Sequence, residues 1–264
     1  MKSDTFLKEY FSKEKPCILD NFSKEWLCLT KWNYSYFQKT YPNLKVKYNV
    51  ETCGEKKSKM SPPYAGEMLF YDFIEILKSN KESDKRLFNF NLLHKCIELN
   101  DDFMLDKKWI QGFYIKWKML FFGAKESKVR LHYDVDFCPN FLTQLEGEKT
   151  IWLLNPNQSK YLYQYPFSVH SPIDIKNPDI EKYPLFKKAK IERFVITKGQ
   201  TLFIPPGWWH YIEYTSSGYG ISIKSSPKSF KYFANGLFNV LIKLPIDNTL
   251  HAIFPTVWNK IKER

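Results

Sequence analysis

Leu131-His132-Tyr133-Asp134 places an imidazole and a carboxylate two residues apart in a run of strand-forming residues. Alternate residues of a strand point to one side, so this spacing predicts that His132 and Asp134 aim at a common point. A third ligand is expected from Ile204-Pro-Pro-Gly-Trp-Trp-His210. There Gly199-Gln200 marks a turn, Thr201 to Ile204 a strand, and Pro205-Pro206-Gly207 a second turn before His210 opens the next strand. Two histidines and one carboxylate leave three open positions on an octahedral metal. That set suits non-haem Fe(II), which takes a co-substrate in two positions and O2 in the third. A closed zinc site would use four protein ligands, often with Cys. Between the two halves lies Gln144-Leu-Glu-Gly-Glu-Lys149-Thr-Ile-Trp, a strand–turn–strand pattern. A lysine pointing inward there is costly unless an anion pairs with it, and a ligand carboxylate would do so. Asn140, on the same run, is placed to add an amide contact.

The surrounding sequence carries the periodicity of a sheet. Candidate strands fall at 115–122, 129–135, 140–146, 149–154, 192–197, 201–204, 208–214 and 219–224, in short aromatic and β-branched runs. Their number and spacing predict a mainly β fold of sandwich or barrel type. The segment 155–190, rich in Pro, Asn and Tyr, is expected to be a functional loop. Upstream, KPCILD (15–20) reads as an edge strand and Asn21-Phe-Ser-Lys-Glu-Trp as a turn entering a helix. LKVKYNV (44–50) reads as a strand, 51–63 as an exposed loop, and MLFYDFIEILKS (68–79) as an amphipathic helix. Helical spacing returns at 228–264 through Phe230, Phe233, Leu237, Val240, Leu241 and Leu244, then Leu250, Ile253, Val257 and Ile261. One domain over 1–264 is expected, with an α/β segment (1–110), a β core (111–227) and a helical tail (228–264).

Composition narrows the class. Hydrophobic residues make up 44% and aromatic residues 18%, which argues for a packed globule and against disorder. The five cysteines, Cys17, Cys28, Cys53, Cys96 and Cys138, are scattered without CxxC spacing, which predicts a reducing compartment, cytoplasmic or nuclear. The N-terminal MKSDTFLKEYFSKEK lacks the apolar run of a signal peptide, and no stretch reaches the length of a membrane span. Net charge is +12, yet Arg86, Arg130, Arg193 and Arg264 are the only arginines. A lysine-dominated excess reads first as a solvated basic surface, since arginine is the better bidentate reader of phosphate.

HYD, then NFLTQLEGEKTIWLLNP, then LFIPPGWWHYIE, in this order and spacing, resemble the JmjC (cupin-like) hydroxylases. The resemblance covers roughly 115–225 and extends more weakly over 15–110. Two branches stand out, the asparaginyl hydroxylases of the hypoxia pathway and the tRNA wybutosine hydroxylases; NPDIEKYPLFKKAK (177–190) resembles a loop of both, the second more closely. The resemblance implies a double-stranded β-helix (jelly roll) with an α/β N-terminal segment and a helical C-terminal tail. It implies Fe(II) at His132, Asp134 and His210, and 2-oxoglutarate paired with Lys149. The implied reaction consumes 2-oxoglutarate and O2, gives succinate and CO2, and oxidises an unactivated C–H bond. The chain departs from the pattern at Val129, where hypoxia-branch relatives carry threonine, and at Phe88, where they carry tyrosine. It departs again at Ser222-Ile-Lys-Ser-Ser, where relatives often have Asn and an aromatic pair.

Hydroxylation of a protein side chain is the first expectation, with demethylation as a variant outcome. A tRNA base is the second, supported by 177–190 and the positive charge. The departures at Val129, Phe88 and Ser222 motivate a third reading, a catalytically silent jelly-roll binding module. Trp208 and Trp209 are placed either to line a substrate pocket or to pack in the core. The stripe over 228–264 is placed either to form a homodimer interface or to cover its own barrel. His94, His170 and His251 show no ligand spacing and are expected on the surface or satisfied in the core.

Overall fold

The computed structural model describes residues 1–50, 59–60, 63–106, 108–109 and 115–262. Its strands are β1 (Cys17–Leu19), β2 (Lys45–Tyr48), β3 (Gly66–Leu69), β4 (Arg86–Phe90), β5 (Ile115–Gly123) and β6 (Lys128–His132), followed by β7 (Asn140–Glu146), β8 (Lys149–Leu154), β9 (Glu192–Ile196), β10 (Thr201–Ile204), β11 (Trp209–Tyr214) and β12 (Gly218–Ser225). Two antiparallel sheets are built from them, in the orders β1-β10-β7-β12-β5-β4 and β6-β11-β8-β9, and β2 pairs with β3. The interleaved order is that of a double-stranded β-helix, in agreement with the fold expected from sequence. β1 lies at the sheet edge against β10, as KPCILD predicted.

Period-2 patterning explains why the larger sheet has two different faces. On β12, Tyr219, Ile221 and Ile223 are buried in an apolar core, and Gly220, Ser222 and Lys224 alternate with them. On β7, Phe141 and Leu145 enter the same core. That core is supplied from the other side by the N-terminal segment, through Phe6, Phe11, Phe22, Trp26, Trp32 and Phe37. The helix Phe70–Ser79 buries Phe70, Phe73, Ile74 and Leu77, an i, i+3, i+4, i+7 stripe, and ends at Asn80 in the left-handed region (φ 47). The aromatic-rich N-terminal segment thus covers the outer face of the sheet, and the other face is left to line a cavity.

Several boundaries differ from expectation. The helix begins at Phe70 rather than at 68, because Met68 and Leu69 are taken by pairing with Val46 and Lys45. The strand expected over 129–135 ends at His132, where the chain turns and Phe137 N–H bonds the Asp134 carbonyl. Of the expected loop 51–63, residues 51–58 and 61–62 lie outside the described residues. Met60, within it, is buried, and its N–H donates to Asp247 Oδ2 at 2.9 Å.

The tail runs as helices Phe230–Phe238, Leu244–Ile253 and Pro255–Lys262, with a wider five-residue turn over Asn239–Lys243. It docks on the turn that follows β6. A Cβ on Gly236 would lie 2.2 Å from the Asp136 carbonyl oxygen, so only glycine permits this approach. Asn239 Nδ2 donates to the Val135 carbonyl at 3.0 Å. Asp247, fully buried, accepts from Trp258 Nε1 (2.9 Å) and Lys262 Nζ (2.5 Å). Phe230, Leu237, Leu241, Phe254 and Val257 of this tail are exposed. Among the described residues no helix is long and apolar enough to cross a membrane. Asp247→Asn is expected to lower the thermal midpoint by several degrees, because removing one partner of a buried ion pair costs about 3–5 kcal/mol. Calorimetry of the two proteins reads that change; an unaltered midpoint would mean that the pair does not hold the tail.

Candidate metal centre and co-substrate cavity

His132 closes β6 and His210 lies in β11, and the two residues are direct cross-strand partners. Their rings lie 4.2 Å apart between centroids. Asp134 enters from the turn beyond β6, with Oδ1 3.9 Å from His210 Nε2. One ligand atom from each of His132, Asp134 and His210 lies within 4.8 Å of the others. The three side chains therefore converge as the sequence spacing predicted, although Asp134 reaches the point from a turn rather than from a continued strand.

Hydrogen bonds fix the chemical form of the histidines. His132 Nδ1 lies 2.8 Å from the Arg130 carbonyl and His210 Nδ1 3.0 Å from the Trp208 carbonyl. A carbonyl only accepts, so each Nδ1 carries the proton and each Nε2 presents a lone pair. Burial lowers the pKa of His132 to about 3, with the neighbouring His210 adding to it, and burial lowers that of His210 as well. Both rings are neutral at physiological pH, the state a metal ligand requires. For Asp134, burial alone would raise the pKa, but Lys224 and the two imidazoles outweigh it and hold the carboxyl below its usual range.

The carboxylate is held from both sides. Asn140 Nδ2 donates to Asp134 Oδ2 at 3.1 Å, and Ser222 Oγ donates to Asn140 Oδ1 at 2.7 Å, fixing the orientation of that amide. Lys224 Nζ sits 3.1 Å from Asp134 Oδ1 and 3.1 Å from Asp136 Oδ1. Asn140, expected to touch a co-substrate, thus already serves to orient Asp134. Ser222, noted as a departure, completes that relay.

These residues line a cavity of about 530 Å³ between the two sheets. Lys149 also lines it and is 1% exposed. Its ammonium lies 4.4 Å from the Tyr214 ring centroid, and among the described residues no carboxylate pairs with it. Burial lowers its pKa to about 7. Gly220 makes room for it, since a Cβ there would lie 2.5 Å from the Thr143 carbonyl and 3.3 Å from Lys149 Nζ. Val129 and Phe88 both line the cavity, so two of the sequence departures put apolar groups on its wall.

Trp208 and Trp209 are both buried and pack in the core. Trp209 Nε1 bonds Ser159 Oγ at 2.8 Å and Trp208 Nε1 bonds the Glu14 carbonyl at 3.2 Å. His170 is the residue that spacing did not single out. The 155–190 segment returns it to the cavity, where its ring stacks on His132 at 5.3 Å and its backbone bridges His132. Nothing in the sequence links positions 38 residues apart, because the bridge depends on the path of an irregular loop. Asp136 was visible as the second carboxylate of His132-Tyr-Asp-Val-Asp136, but its partner Lys224 was not.

A double-stranded β-helix with a His–Asp–His cluster between its sheets, able to hold a metal ion, is the architecture of a cupin-class domain. The chain belongs to the cupin-like domain family, which matches residues 3–228. It is 28% identical over 250 residues to JmjC domain-containing protein D of Dictyostelium discoideum, covering 82% of this chain and 52% of that protein. To lysine-specific demethylase 8 of Xenopus tropicalis it is 26% identical over 230 residues, covering 82% and 49%. To tRNA wybutosine-synthesizing protein 5 of Mus musculus it is 27% identical over 238 residues, covering 83% and 74%. The chain spans about half the length of the first two.

Proposed function

We propose that this chain is an Fe(II)- and 2-oxoglutarate-dependent oxygenase acting on a protein side chain. Iron is assigned to His132, Asp134 and His210, and the far carboxylate of 2-oxoglutarate to Lys149. The observation that carries this reading is Lys149, a buried ammonium lining the cavity of the His–Asp–His cluster, with no carboxylate among the described residues to pair with it. A buried unpaired charge is costly, and a dianionic ligand removes that cost. The neutral Nε2 atoms, and Asp134 oriented by the Asn140 amide, fit a divalent metal. When bound, iron supplies activation of O2 and of the keto acid. The chain's part is to orient both and to keep water from the reacting C–H bond, with apolar walls at Val129, Phe88, Met119 and Leu142. Succinate formation from 2-oxoglutarate under air, with Fe(II) and ascorbate, tests the reading; no turnover together with no Fe(II)-dependent binding of 2-oxoglutarate would favour the silent binding module.

One observation favours a second substrate class. The tRNA wybutosine-synthesizing relative is matched over 74% of its length, and this chain carries net charge +12. If a tRNA base is the substrate, tRNA affinity should fall steeply with salt, by about a factor of ten or more between 50 and 200 mM for several phosphate contacts. Filter binding across that range reads it, and absence of binding at low salt eliminates the tRNA class.

A further inference from the structure

Lys224 is a second buried cation in the cavity, and the reaction proposed above gives it no task. It lies on the inward face of β12, 6% exposed, and reaches across to the turn after β6. Its Nζ is 3.1 Å from Asp134 Oδ1, and 3.1 and 3.3 Å from the two oxygens of Asp136. Asp134 Oδ1 is also the oxygen that lies 3.9 Å from His210 Nε2, on the side where the ligand atoms converge. The ammonium therefore bonds the Asp134 oxygen that lies beside the His210 ligand atom. Asp136 is itself fixed, accepting from Trp117 Nε1 at 3.2 Å and from the Cys138 N–H at 3.2 Å.

Lys224 and Asp136 form a neutral pair next to the Asp134 carboxylate, which leaves the net charge of the cluster unchanged. Each member alone does change the field. An ammonium hydrogen-bonded to a metal-ligating oxygen draws on its lone pairs and repels a cation beside it, and Asp136 offsets that repulsion by holding Lys224 from the far side.

We infer that Lys224 and Asp136 are positioning residues that set the affinity of the metal centre in opposite directions, Lys224 weakening it and Asp136 restoring it. The inference rests on the metal site proposed above. Removing Lys224 leaves an uncompensated carboxylate near the ligands, and metal binds more tightly. Removing Asp136 gives Lys224 wholly to Asp134, and metal binds more weakly. Removing both returns the charge to its original value.

The test is Co(II) titration of the apoprotein, followed by the visible absorption of the bound ion and by calorimetry, for wild type, Lys224→Met, Lys224→Gln, Asp136→Asn and the Lys224→Met/Asp136→Asn double variant. Lys224→Met and Lys224→Gln are expected to bind about tenfold more tightly or better, and Asp136→Asn about tenfold more weakly, as one charge near the ion implies. The double variant is expected to fall between the singles and close to wild type. Two Lys224 variants guard against one that fails to fold, and the thermal midpoint of each apoprotein is measured alongside. A loss of affinity in the Lys224 variants, or shifts of one sign throughout, would mean that the pair is only structural and would overturn the inference. Wild type that binds no Co(II) overturns the metal site and this inference together; wild type that binds without the opposed shifts overturns this inference alone.

Discussion

Asp134→Ala and His132→Ala are expected to abolish Fe(II)-dependent succinate formation and to leave the fold standing. In the proposed centre Asp134 would supply the anionic ligand and His132 and His210 the neutral ones, their ligand atoms lying within 4.8 Å of one another. Partners that merely orient a ligand are worth about 10–100-fold in metal affinity or activity, so loss of a ligand itself should exceed roughly a hundredfold. The fold should survive Asp134→Ala because Lys224 keeps Asp136 at 3.1 and 3.3 Å and is not left as a lone buried charge. His132→Ala opens a gap beside His170 and His210, but the β6–β11 pairing is made by backbone. Retained turnover in either variant, measured as succinate per protein at saturating Fe(II), would sink the ligand assignment. An unfolded variant is recognised by its circular dichroism and leaves the other to decide.

Lys149→Met is expected to do two opposite things, and the pairing of outcomes is the stronger evidence. Co-substrate affinity should fall by about a hundredfold or more, since the methionine cannot make the charge-assisted bond that a buried carboxylate needs. Stability of the ligand-free protein should rise. Lys149 has its pKa lowered from 10.5 to about 7 by burial, so the folded state resists its charge while the unfolded chain accepts it. Between pH 7 and 10.5 the unfolded state binds more protons, and the stability of wild type climbs with pH across that window. Removing the group removes this penalty, a gain on the order of 1–4 kcal/mol at neutral pH. Calorimetry with and without 2-oxoglutarate separates the effects: a higher ligand-free midpoint with no ligand-induced increase is the expected pattern. The same titration predicts that 2-oxoglutarate binds wild type more weakly as pH rises above 7, by about tenfold per pH unit while the bound ammonium stays protonated. A variant destabilised without ligand, or one that still binds 2-oxoglutarate as well as wild type, would place the carboxylate elsewhere.

Much of the site was legible because its information is local or carried by alternation. His132 and Asp134 stand two apart, His210 follows a Pro-Pro-Gly turn, and Lys149 opens the strand after a tight turn. The strand expectations for 140–146, 149–154 and 201–204 coincide with β7, β8 and β10, since each is a short apolar run closed by turn residues. Asn140 is expected from sequence to contact the co-substrate; its bond to Asp134 instead relies on Ser222, 82 residues away, which fixes its amide.

The sequence by itself determined the class of fold, the three convergent ligands and the inward lysine, because period-2 patterning and turn residues act over a few positions and survive any choice of partner strand. Only the tertiary structure decided who stands beside those ligands. The register of β12 against β7 brings Lys224 to Asp134, the path of the 155–190 segment brings His170 onto His132, and the glycine at 236 lets the tail press against Asp136. Each of these depends on pairing and close packing between segments far apart in the chain, for which no local pattern exists, and a shift of one residue in a strand would turn Lys224 away from the cavity.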